Sequence, residues 1–413
     1  MGKVNGALGL VTLPILAATS FVVAASLAPG PKTAITGPPI RVGVAVAAPG
    51  PLAISSASAI QIRDAQSEDT FGRHVGQLTA SSNAGDVVVR AADGTTVARA
   101  PAVLFVSDGV EPLALNGRTY RGTLEVFAVD NSSLNAVNEL PLEDYLLGVV
   151  PIEIGSRTEE EFAAVAAQAV AARTYAIAHL RAREEMGFDV FGSVEDQAYG
   201  GMSAERPEAT RAVRETAGRV LMYAGLPIRA MYHSTCGGHT SAVEEVLDRE
   251  PAPYLRPVSD RAPDGTDYCS ISPRHRWVDT LLASDLNGRV KDQVQRIYGA
   301  SASAIGNIVG LRVVERTPSG RVAALAVRGT RSEFVLERLD IRIALQDETG
   351  RILGSTDFEV RSRDDGTVEL HGRGYGHGSG MCQWGAIARA RAGQDWMTIL
   401  ETYYAGAELV SVY

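Results

Sequence analysis

The stretch TEEEFAAVAAQAVAARTYAIAHLRAREEMG, residues 158–187, predicts one long, alanine-rich helix. Thr158 is a favourable N-cap, and Glu161, three residues later, completes a capping box. Apolar side chains from Phe162 to Leu180 recur with helical spacing, and Gly187 is a natural C-terminal stop. Because many of these side chains are alanines, the helix has a slim face that another element can approach closely.

A shorter helix is predicted immediately before it, in PLEDYLLGVVP, residues 141–151. Pro141 suits the first turn of a helix, and Pro151 is expected to end this one. The acids Glu143 and Asp144 are expected to be solvated. The sequence therefore predicts two successive helices between residues 141 and 187.

One acid, Glu153, stands in the apolar stretch GVVPIEI, residues 148–154. Desolvation penalises a charged carboxylate, so an acid among apolar groups has a raised pKa. A raised pKa is what a general acid needs near neutral pH. The alternative is a half-exposed acid in a loop, and the position alone does not decide between them.

The rest of the chain predicts an α+β fold, with mixed short strands and helices around a cleft. Residues 40–137 read as an N-terminal β-rich region, with hairpin turns at Asp93-Gly94, Asp108-Gly109 and Asn116-Gly117. Residues 138–413 mix helices with later hairpins, which turn near Gly320 and Gly366. Two final helices are predicted, at 383–392 and 396–404.

Composition narrows the classes of function. The chain has 413 residues and a formal net charge of −9, without a basic cluster, so a nucleic-acid partner is not expected. A near-continuous apolar run from Ala7 to Ala28 precedes a Pro-rich linker, and residues 1–39 resemble a secretory signal or membrane anchor plus linker. We expect an exported protein at the cell envelope, either cleaved or held in the membrane through this segment.

A candidate metal site lies in MYHSTCGGHTS, residues 231–241. His233, Cys236 and His239 recur every three residues, and Cys269 is the predicted fourth ligand. Imidazole and thiolate are the usual ligands of Zn²⁺. A disulfide between Cys236 and Cys269 is the open alternative, since exported proteins form disulfides.

The glycine-rich segment HGRGYGHGSGMCQWGA, residues 371–386, precedes a helix but contains neither GxGxxG nor GxxxxGK[ST]. Glycines at alternate positions favour a backbone that lines a groove for an extended ligand. His377, Gln383 and Trp384 supply polar and stacking groups of the kind found in sugar sites. A structural turn is the alternative. Gly237 and Gly238 in the candidate metal segment are likewise predicted to let a substrate approach the backbone.

Three ordered segments together resemble the stage II sporulation protein D family, which includes the amidase enhancers. They are NELPLEDYLLGVVPIEI with the long helix, DQAYGG through the MYHSTCGGHTS region, and HGRGYGHGSGMCQWGAIARARAG with the end of the chain. The resemblance makes 138–413 the catalytic domain, with a variable segment near 275–310.

The resemblance implies a peptidoglycan lytic transglycosylase. Such enzymes cleave the β-1,4 bond from N-acetylmuramic acid to N-acetylglucosamine in peptide-stripped strands and leave 1,6-anhydro ends. The family's catalytic acid aligns with Glu153. Some members bind zinc in the region of the candidate metal site, where Cys382 is a further candidate ligand. Arg173 and Tyr175 are predicted to position or support the site; the alternative is a polar helix face.

Two other functions stay open, one suggested by the family and one by the candidate metal residues. A non-catalytic protein that binds peptidoglycan and enhances a cell-wall amidase is the first, and an amidase is then the expected partner. A zinc hydrolase built on the candidate metal site is the second.

Overall fold

Antiparallel strands dominate residues 39–141, and one short later strand joins one of their sheets in parallel. A computed structural model of the protein describes residues 36–413. The strands of this part are β1 (Pro39–Pro49), β2 (Leu52–Ser55), β3 (Ile60–Asp64), β4 (Thr70–His74), β5 (Leu78–Asn83), β6 (Asp86–Ala91), β7 (Thr96–Ala100), β8 (Ala102–Ser107), β9 (Leu113–Leu115), β10 (Arg118–Tyr120), β11 (Thr123–Ala128), β12 (Ser133–Pro141) and β13 (Val190–Phe191). They form a six-stranded sheet, β10-β9-β2-β5-β6-β7, and a seven-stranded sheet, β13-β1-β12-β11-β8-β3-β4.

Two of the three predicted hairpin turns in this region are present, and one is wrong. Asp93-Gly94 joins β6 to β7, and Asn116-Gly117 joins β9 to β10, each pair being antiparallel neighbours. Asp108-Gly109 instead connects β8 to β9, which lie in different sheets. The Asp-Gly dipeptide correctly predicts a turn. Which strands then pair with each other depends on the sheet in which each strand buries its apolar face.

The remaining chain alternates helices with small sheets, which confirms the predicted α+β class. The helices are α1 (Leu142–Ile154), α2 (Phe162–Ala178), α3 (Pro207–Glu215), α4 (Val243–Val246), α5 (Ala283–Asp285), α6 (Lys291–Tyr298), α7 (Arg338–Ala344), α8 (Gln383–Arg391) and α9 (Trp396–Tyr403). A π turn (Leu286–Val290) joins α5 to α6, and 3₁₀ turns lie at Glu159–Glu161, Glu184–Met186, Gly201–Ala204, Tyr268–Ile271 and Gly299–Ile305. The later strands are β14 (Arg219–Tyr223), β15 (Leu226–Pro227), β16 (Tyr232–His233), β17 (Arg276–Leu281), β18 (Ile308–Arg316), β19 (Val322–Gly329), β20 (Glu333–Glu337), β21 (Phe358–Ser362), β22 (Val368–Arg373), β23 (Met381–Cys382) and β24 (Glu408–Ser411).

The long helix is present as α2, and its predicted start is observed. The Thr158 N–H donates to the Glu161 carboxylate at 3.0 Å, one half of the capping box. The helix ends at Ala178, earlier than predicted, because Arg181 adopts a left-handed backbone and its N–H donates to the Asp189 carboxylate at 2.6 Å. The final predicted helices correspond to α8 and α9.

The prediction that Pro151 ends the preceding helix is wrong. Helix α1 continues through Pro151 to Ile154, and Gly155 closes the last turn by donating to the Pro151 carbonyl at 3.1 Å. A proline inside a helix removes one hydrogen bond to the preceding turn. Here that loss falls near the C-terminal end of α1, where Val149 and Val150 are fully buried and packing holds the helix together. Glu153 therefore lies in a helical turn.

Apolar side chains gather in two separate cores. The first contains side chains from the two N-terminal sheets and from α1, α2, α8 and α9. The second contains only side chains between Leu281 and Leu370, from β17–β22 and α7 and from the helical segments near α6. Strand β22 belongs to the second core, and the chain then runs through the glycine-rich segment into α8 of the first.

The predicted signal or anchor lies outside the described residues. Within residues 36–413, no helix has both the length and the apolar character needed to cross a membrane.

Candidate functional site

Glu153 projects from the last turn of α1 towards the segment that follows β13. Its Oε1 accepts a hydrogen bond of 2.8 Å from the Ala198 N–H. Burial raises the pKa of Glu153 to about 7, and the hydrogen bonds with Ala198 and Gln383 offset only part of that effect. Near neutral pH this carboxyl group is therefore present in both protonated and ionised forms.

The buried Tyr145, the half-buried Tyr232 and one glutamine form the neighbourhood of Glu153. The Tyr145 hydroxyl donates to the Gln197 amide oxygen at 3.2 Å, and the Gln197 amide nitrogen donates to the Tyr232 hydroxyl at 3.0 Å. Burial raises the pKa of both tyrosines, and the Glu153 charge raises it further. These phenols stay neutral, so they give Glu153 polar neighbours that do not hold it ionised.

Two residues of the glycine-rich segment, Gln383 and His377, make contacts around Glu153. The Gln383 side-chain amide donates to the Glu153 main-chain carbonyl at 2.9 Å and to Gln168 at 3.3 Å. The Nε2–H of His377 donates to the Tyr232 carbonyl at 2.9 Å, while its Nδ1 accepts from the Ser379 N–H at 3.1 Å. Burial lowers the pKa of His377 to about 4, so it is a neutral positioning group.

Trp384 follows Gln383 in the chain, and an arginine side chain lies over its ring. The Arg157 guanidinium carbon is 5.0 Å from the centroid of the indole, a cation–π distance. Arg157 is fixed by donating to the Ile154 carbonyl at 2.7 Å, beside the end of α1. An arginine and an indole thus flank the turn that carries Glu153.

Tyr175, on α2, contacts the segment that contains Asp196, Gln197 and Ala198. Its hydroxyl donates to Asp196 at 2.7 Å, and its ring stacks on His179 with 4.0 Å between centroids. Asp196 also accepts from Arg183 at 2.9 Å and from the Phe191 N–H at 2.8 Å. With both oxygens engaged, Asp196 holds the Gln197-Ala198 backbone in place.

Arg173, predicted to position or support the site, forms an ion pair inside the first core. Arg173 is fully buried, and its guanidinium binds the Glu143 carboxylate through two hydrogen bonds of 2.7 and 2.8 Å. Glu143, predicted to be solvated, is only 7% exposed. The ion pair joins α1 to α2 inside the first core, because a buried guanidinium needs a buried carboxylate.

A cluster of four buried side chains could hold a metal ion, and it differs from the predicted ligand set. The sulfur atoms of Cys236, Cys269 and Cys382 and a carboxylate oxygen of Asp260 all lie within 4.8 Å of one another. The parallel strand pair β16–β23 sets Cys382 opposite His233, and so brings its sulfur near Cys236, three residues further along the chain. Sequence reasoning missed Asp260, and it named Cys382 only as an alternative.

The donor set and its spacing fit Zn²⁺. Two ligands about 2.3 Å from a tetrahedral zinc ion lie roughly 3.8 Å apart. Here the Cys236 and Cys269 sulfurs are 3.5 Å apart, and the Cys236 sulfur is 3.1 Å from Asp260 Oδ2. Asp260 is oriented by Tyr403, which donates to Oδ1 at 2.7 Å, and by Arg389 at 3.0 Å. An outer shell of this kind is typical of metal-binding carboxylates.

Backbone N–H groups surround the sulfurs. Cys382 Sγ accepts from the N–H groups of Cys236 at 3.2 Å and Gly385 at 3.3 Å, and Cys236 Sγ accepts from Gly238 at 3.4 Å. Burial raises the pKa of Cys236 and Cys382, whereas hydrogen bonds from these two thiols lower the pKa of Cys269. A bound cation would stabilise all three thiolates.

His233 and His239 lie outside this cluster, which corrects the prediction. The His233 ring donates through Nδ1 to the Ser379 carbonyl at 3.1 Å, and His239 donates through Nε2 to the Ser319 carbonyl at 2.6 Å. Strand β16 is followed by turns at Gly237 and Gly238, so side chains three residues apart point to different neighbours. The arrangement does not support a hydrolase built on His233, Cys236 and His239.

Gly237 and Gly238 are buried in the same loop, which contradicts their predicted contact with substrate. Both have positive φ, 80° and 111°, and a side chain at Gly238 would meet the Asp267 carboxylate at 2.6 Å. Their small size allows the loop to pack around the sulfur cluster.

Comparison with known proteins identifies relatives over most of the chain. The family model described as "Stage II sporulation protein" matches residues 130–223, and a domain of unknown function (DUF8618) matches residues 269–380. The stage II sporulation protein D of Bacillus amyloliquefaciens is 30% identical over 68% of this chain and 77% of its own length. That of Bacillus subtilis is 28% identical over 72% of this chain and 83% of its own length.

A third relative has a different name. The amidase enhancer of Bacillus subtilis is 31% identical over 72% of this chain, and the match spans 45% of the relative's length. The first family match ends in β14, so it contains Glu153, Tyr175 and Gln197 but not the sulfur cluster. The second match contains the whole second core.

Proposed function

The chain belongs to the stage II sporulation protein D family, and we propose that it is a cell-wall enzyme, a peptidoglycan lytic transglycosylase. The observation that carries the proposal is Glu153, one half-buried carboxyl group whose pKa is raised to about 7 by desolvation. Hydrolytic glycosidases usually need two carboxylates. In the neighbourhood of Glu153, Asp196 is fully engaged in hydrogen bonds, so a reaction with one acid is favoured.

A single group can serve both steps because this reaction consumes no water. Protonated Glu153 donates its proton to the oxygen of the glycosidic bond as that bond to the muramic acid C1 breaks. The resulting carboxylate accepts the proton of the muramic acid 6-hydroxyl, whose oxygen forms the new bond to C1. The products are a strand ending in 1,6-anhydromuramic acid and a strand with a free 4-hydroxyl, and Glu153 regains its proton.

The surrounding residues have roles that follow from their contacts. Gln383 and Ala198 fix the Glu153 turn and its carboxylate, and His377 fixes Tyr232. Trp384 and Arg157 beside the turn offer an apolar ring and a cation to a sugar carrying a carboxylate. We propose an exported protein whose partner is the peptidoglycan strand, with an amidase supplying stripped strands.

The pH dependence of cleavage tests the role of Glu153. Because protonated Glu153 starts the reaction, kcat/KM should be nearly constant below pH 7 and fall about tenfold per pH unit above it. The measurement is the initial rate of anhydro-end formation on stripped strands from pH 5 to pH 9. A rate that rises through pH 7 would mean that Glu153 acts first as a base, which contradicts this sequence of steps.

Zinc is the metal that we propose for the sulfur cluster, where it would fix the loop between β16 and α4 against α8. Purified protein should hold about one zinc ion per chain. Cys382→Ser should weaken zinc binding by more than the ten- to hundredfold typical of an outer-shell change. His239→Ala should leave zinc unchanged, because His239 contacts Ser319 instead. Zinc content by elemental analysis is the measurement; no zinc together with no free Cys236 thiol would indicate a disulfide.

The amidase enhancer relative favours one alternative, a peptidoglycan-binding protein without its own activity. Stripped glycan strands separate the two functions. Anhydro ends formed by purified protein alone support the enzyme, whereas binding without cleavage, together with faster cleavage by an added amidase, supports the enhancer.

A further inference from the structure

A wide cleft lies in the second core, away from the residues that contact Glu153. Its volume is about 760 Å³, within the range of ligand sites in proteins. Strand β17 supplies Arg276 and Trp277, strand β18 ends in Arg316, and β21 and β22 supply Arg361 and Arg373. We call this feature the arginine cleft.

The arginine cleft carries excess positive charge. Four arginines face two carboxylates, and both carboxylates are already paired: Arg373 donates to Asp357 at 2.7 Å, and Arg361 to Glu359 at 3.3 Å. Two arginines remain without a carboxylate partner among the described residues. Arg316 donates only to the carbonyls of Gly320 and Phe358, at 2.8 and 2.9 Å, and these bonds fix its guanidinium while leaving further N–H groups available.

Arg276 is exposed at the rim and makes no ion pair with any described residue. Next to it, the half-buried Trp277 is held by its indole N–H, which donates to the Gly374 carbonyl at 2.8 Å. The ring packs against Gly372, where any side chain would collide with it. A fixed indole beside unpaired guanidinium groups suits a ligand that has both an apolar ring face and an anionic group.

The cleft and the Glu153 site share one segment of chain. Residues 371–373 line the cleft at the end of β22, and the chain then continues through the glycine-rich segment to Gln383, which contacts the Glu153 turn. The cleft and the turn that carries Glu153 are thus joined by one packed stretch of chain, in which residues 378–383 are buried.

We propose that the arginine cleft binds the lactyl carboxylates of peptide-stripped muramic acid residues. This inference rests on the proposed function. When an amidase removes a stem peptide, the amide to the lactyl group becomes a free carboxylate, so a stripped strand carries one negative charge on every muramic acid. A peptide-bearing strand lacks that carboxylate. The cleft recognises a carboxylate placed directly on the lactyl group, and only a stripped strand offers one there.

Binding of stripped strands tests the proposal in the full exported chain carrying Glu153→Gln, which prevents cleavage during the measurement. Adding R276Q and R316Q should weaken binding about tenfold, because two unpaired guanidinium partners are lost. The control R296Q/R312Q removes the same charge from exposed arginines outside the cleft and should change binding less than twofold. Stripped strands whose carboxylates have been converted to methylamides should bind both proteins equally weakly.

Three results would overturn the proposal. They are normal binding by the R276Q/R316Q variant, equal binding of acid and methylamide strands to the unaltered cleft, and stronger competition by poly(glycerol phosphate) than by stripped strands at equal charge. Thermal unfolding of each variant identifies any that fails to fold, and R276Q or R316Q alone then replaces the double variant. Cleavage with Glu153 intact is scored separately. Binding through the cleft without anhydro ends would reject the transglycosylase alone, and anhydro ends with unaltered binding by the variant would reject the cleft alone.

Discussion

Replacing Glu153 with glutamine should lower the rate of anhydro-end formation by a factor of about 10² to 10⁴, the usual contribution of general acid–base catalysis. Glutamine has nearly the same shape and can still accept the Ala198 hydrogen bond, but its amide is not acidic enough to protonate the glycosidic oxygen. The measurement is mass spectrometry of stripped strands after digestion. Glu160→Gln, on an exposed acid seven residues later, is the control and should retain the full rate.

The same variant should be at least as stable as the natural protein, which separates lost chemistry from lost folding. The pKa of Glu153 is raised from its ordinary value of 4.5 to about 7 in the fold, so the folded state holds the proton more tightly than the unfolded chain. Full stability is therefore present below pH 4.5 and is lost as pH rises to 7, at a cost of up to about 3 kcal/mol. Glu153→Gln removes that cost, so it should raise the unfolding temperature at pH 8 and leave it unchanged at pH 4.

If a folded Glu153→Gln variant still cleaves at the full rate, Glu153 is not the general acid and the proposed mechanism is wrong. Loss of cleavage accompanied by loss of stability at pH 8 would point to a structural role instead. The enhancer function predicts a third pattern, in which neither protein yields anhydro ends and both bind stripped strands.

Local signals in the sequence predicted much of the fold. The capping box at Thr158 and Glu161 lies within four residues, and the alanine face of α2 needs only helical spacing. The hairpin near Gly320 is also decided locally, by a turn between two strands that are adjacent in sequence. Glu153 could be nominated because its apolar neighbours are adjacent in the chain.

Contacts between distant residues could not be predicted in the same way. Cys382 joins Cys236 only because β23 lies beside β16, 146 residues away in sequence, so the nearer histidines seemed better ligands. Asp260 gives no local signal of metal binding, since it depends on Tyr403 and Arg389 for its orientation. Gln197 belongs to the DQAYGG segment quoted in the sequence analysis. Its role depends on Tyr145, 52 residues before it, and on Tyr232, 35 residues after it.

The buried ion pair of Glu143 and Arg173 is the largest departure from the sequence prediction, and its disruption should have the largest effect on stability. Arg173 also donates to the carbonyls of Val213 and Arg219, at 3.1 and 3.3 Å. Glu143 also accepts from the Tyr413 hydroxyl at 2.5 Å. Breaking such a pair leaves an uncompensated buried charge, which costs about 3–5 kcal/mol. Glu143→Gln should therefore lower the free energy of unfolding by that amount, measured by denaturant titration.

An exposed ion pair between neighbouring elements provides the control. Arg211 and Glu159 are 2.8 Å apart and join α3 to the turn before α2, but both are exposed to solvent. Glu159→Gln should leave the free energy of unfolding nearly unchanged, since water screens that pair. The double variant Glu143→Gln/Arg173→Met should cost less than the two single changes added together, because it leaves no unpaired charge. If Glu143→Gln costs no more than Glu159→Gln, the pair does not hold α1 against α2. The placement of Glu153 at the end of α1 would then depend on apolar packing alone.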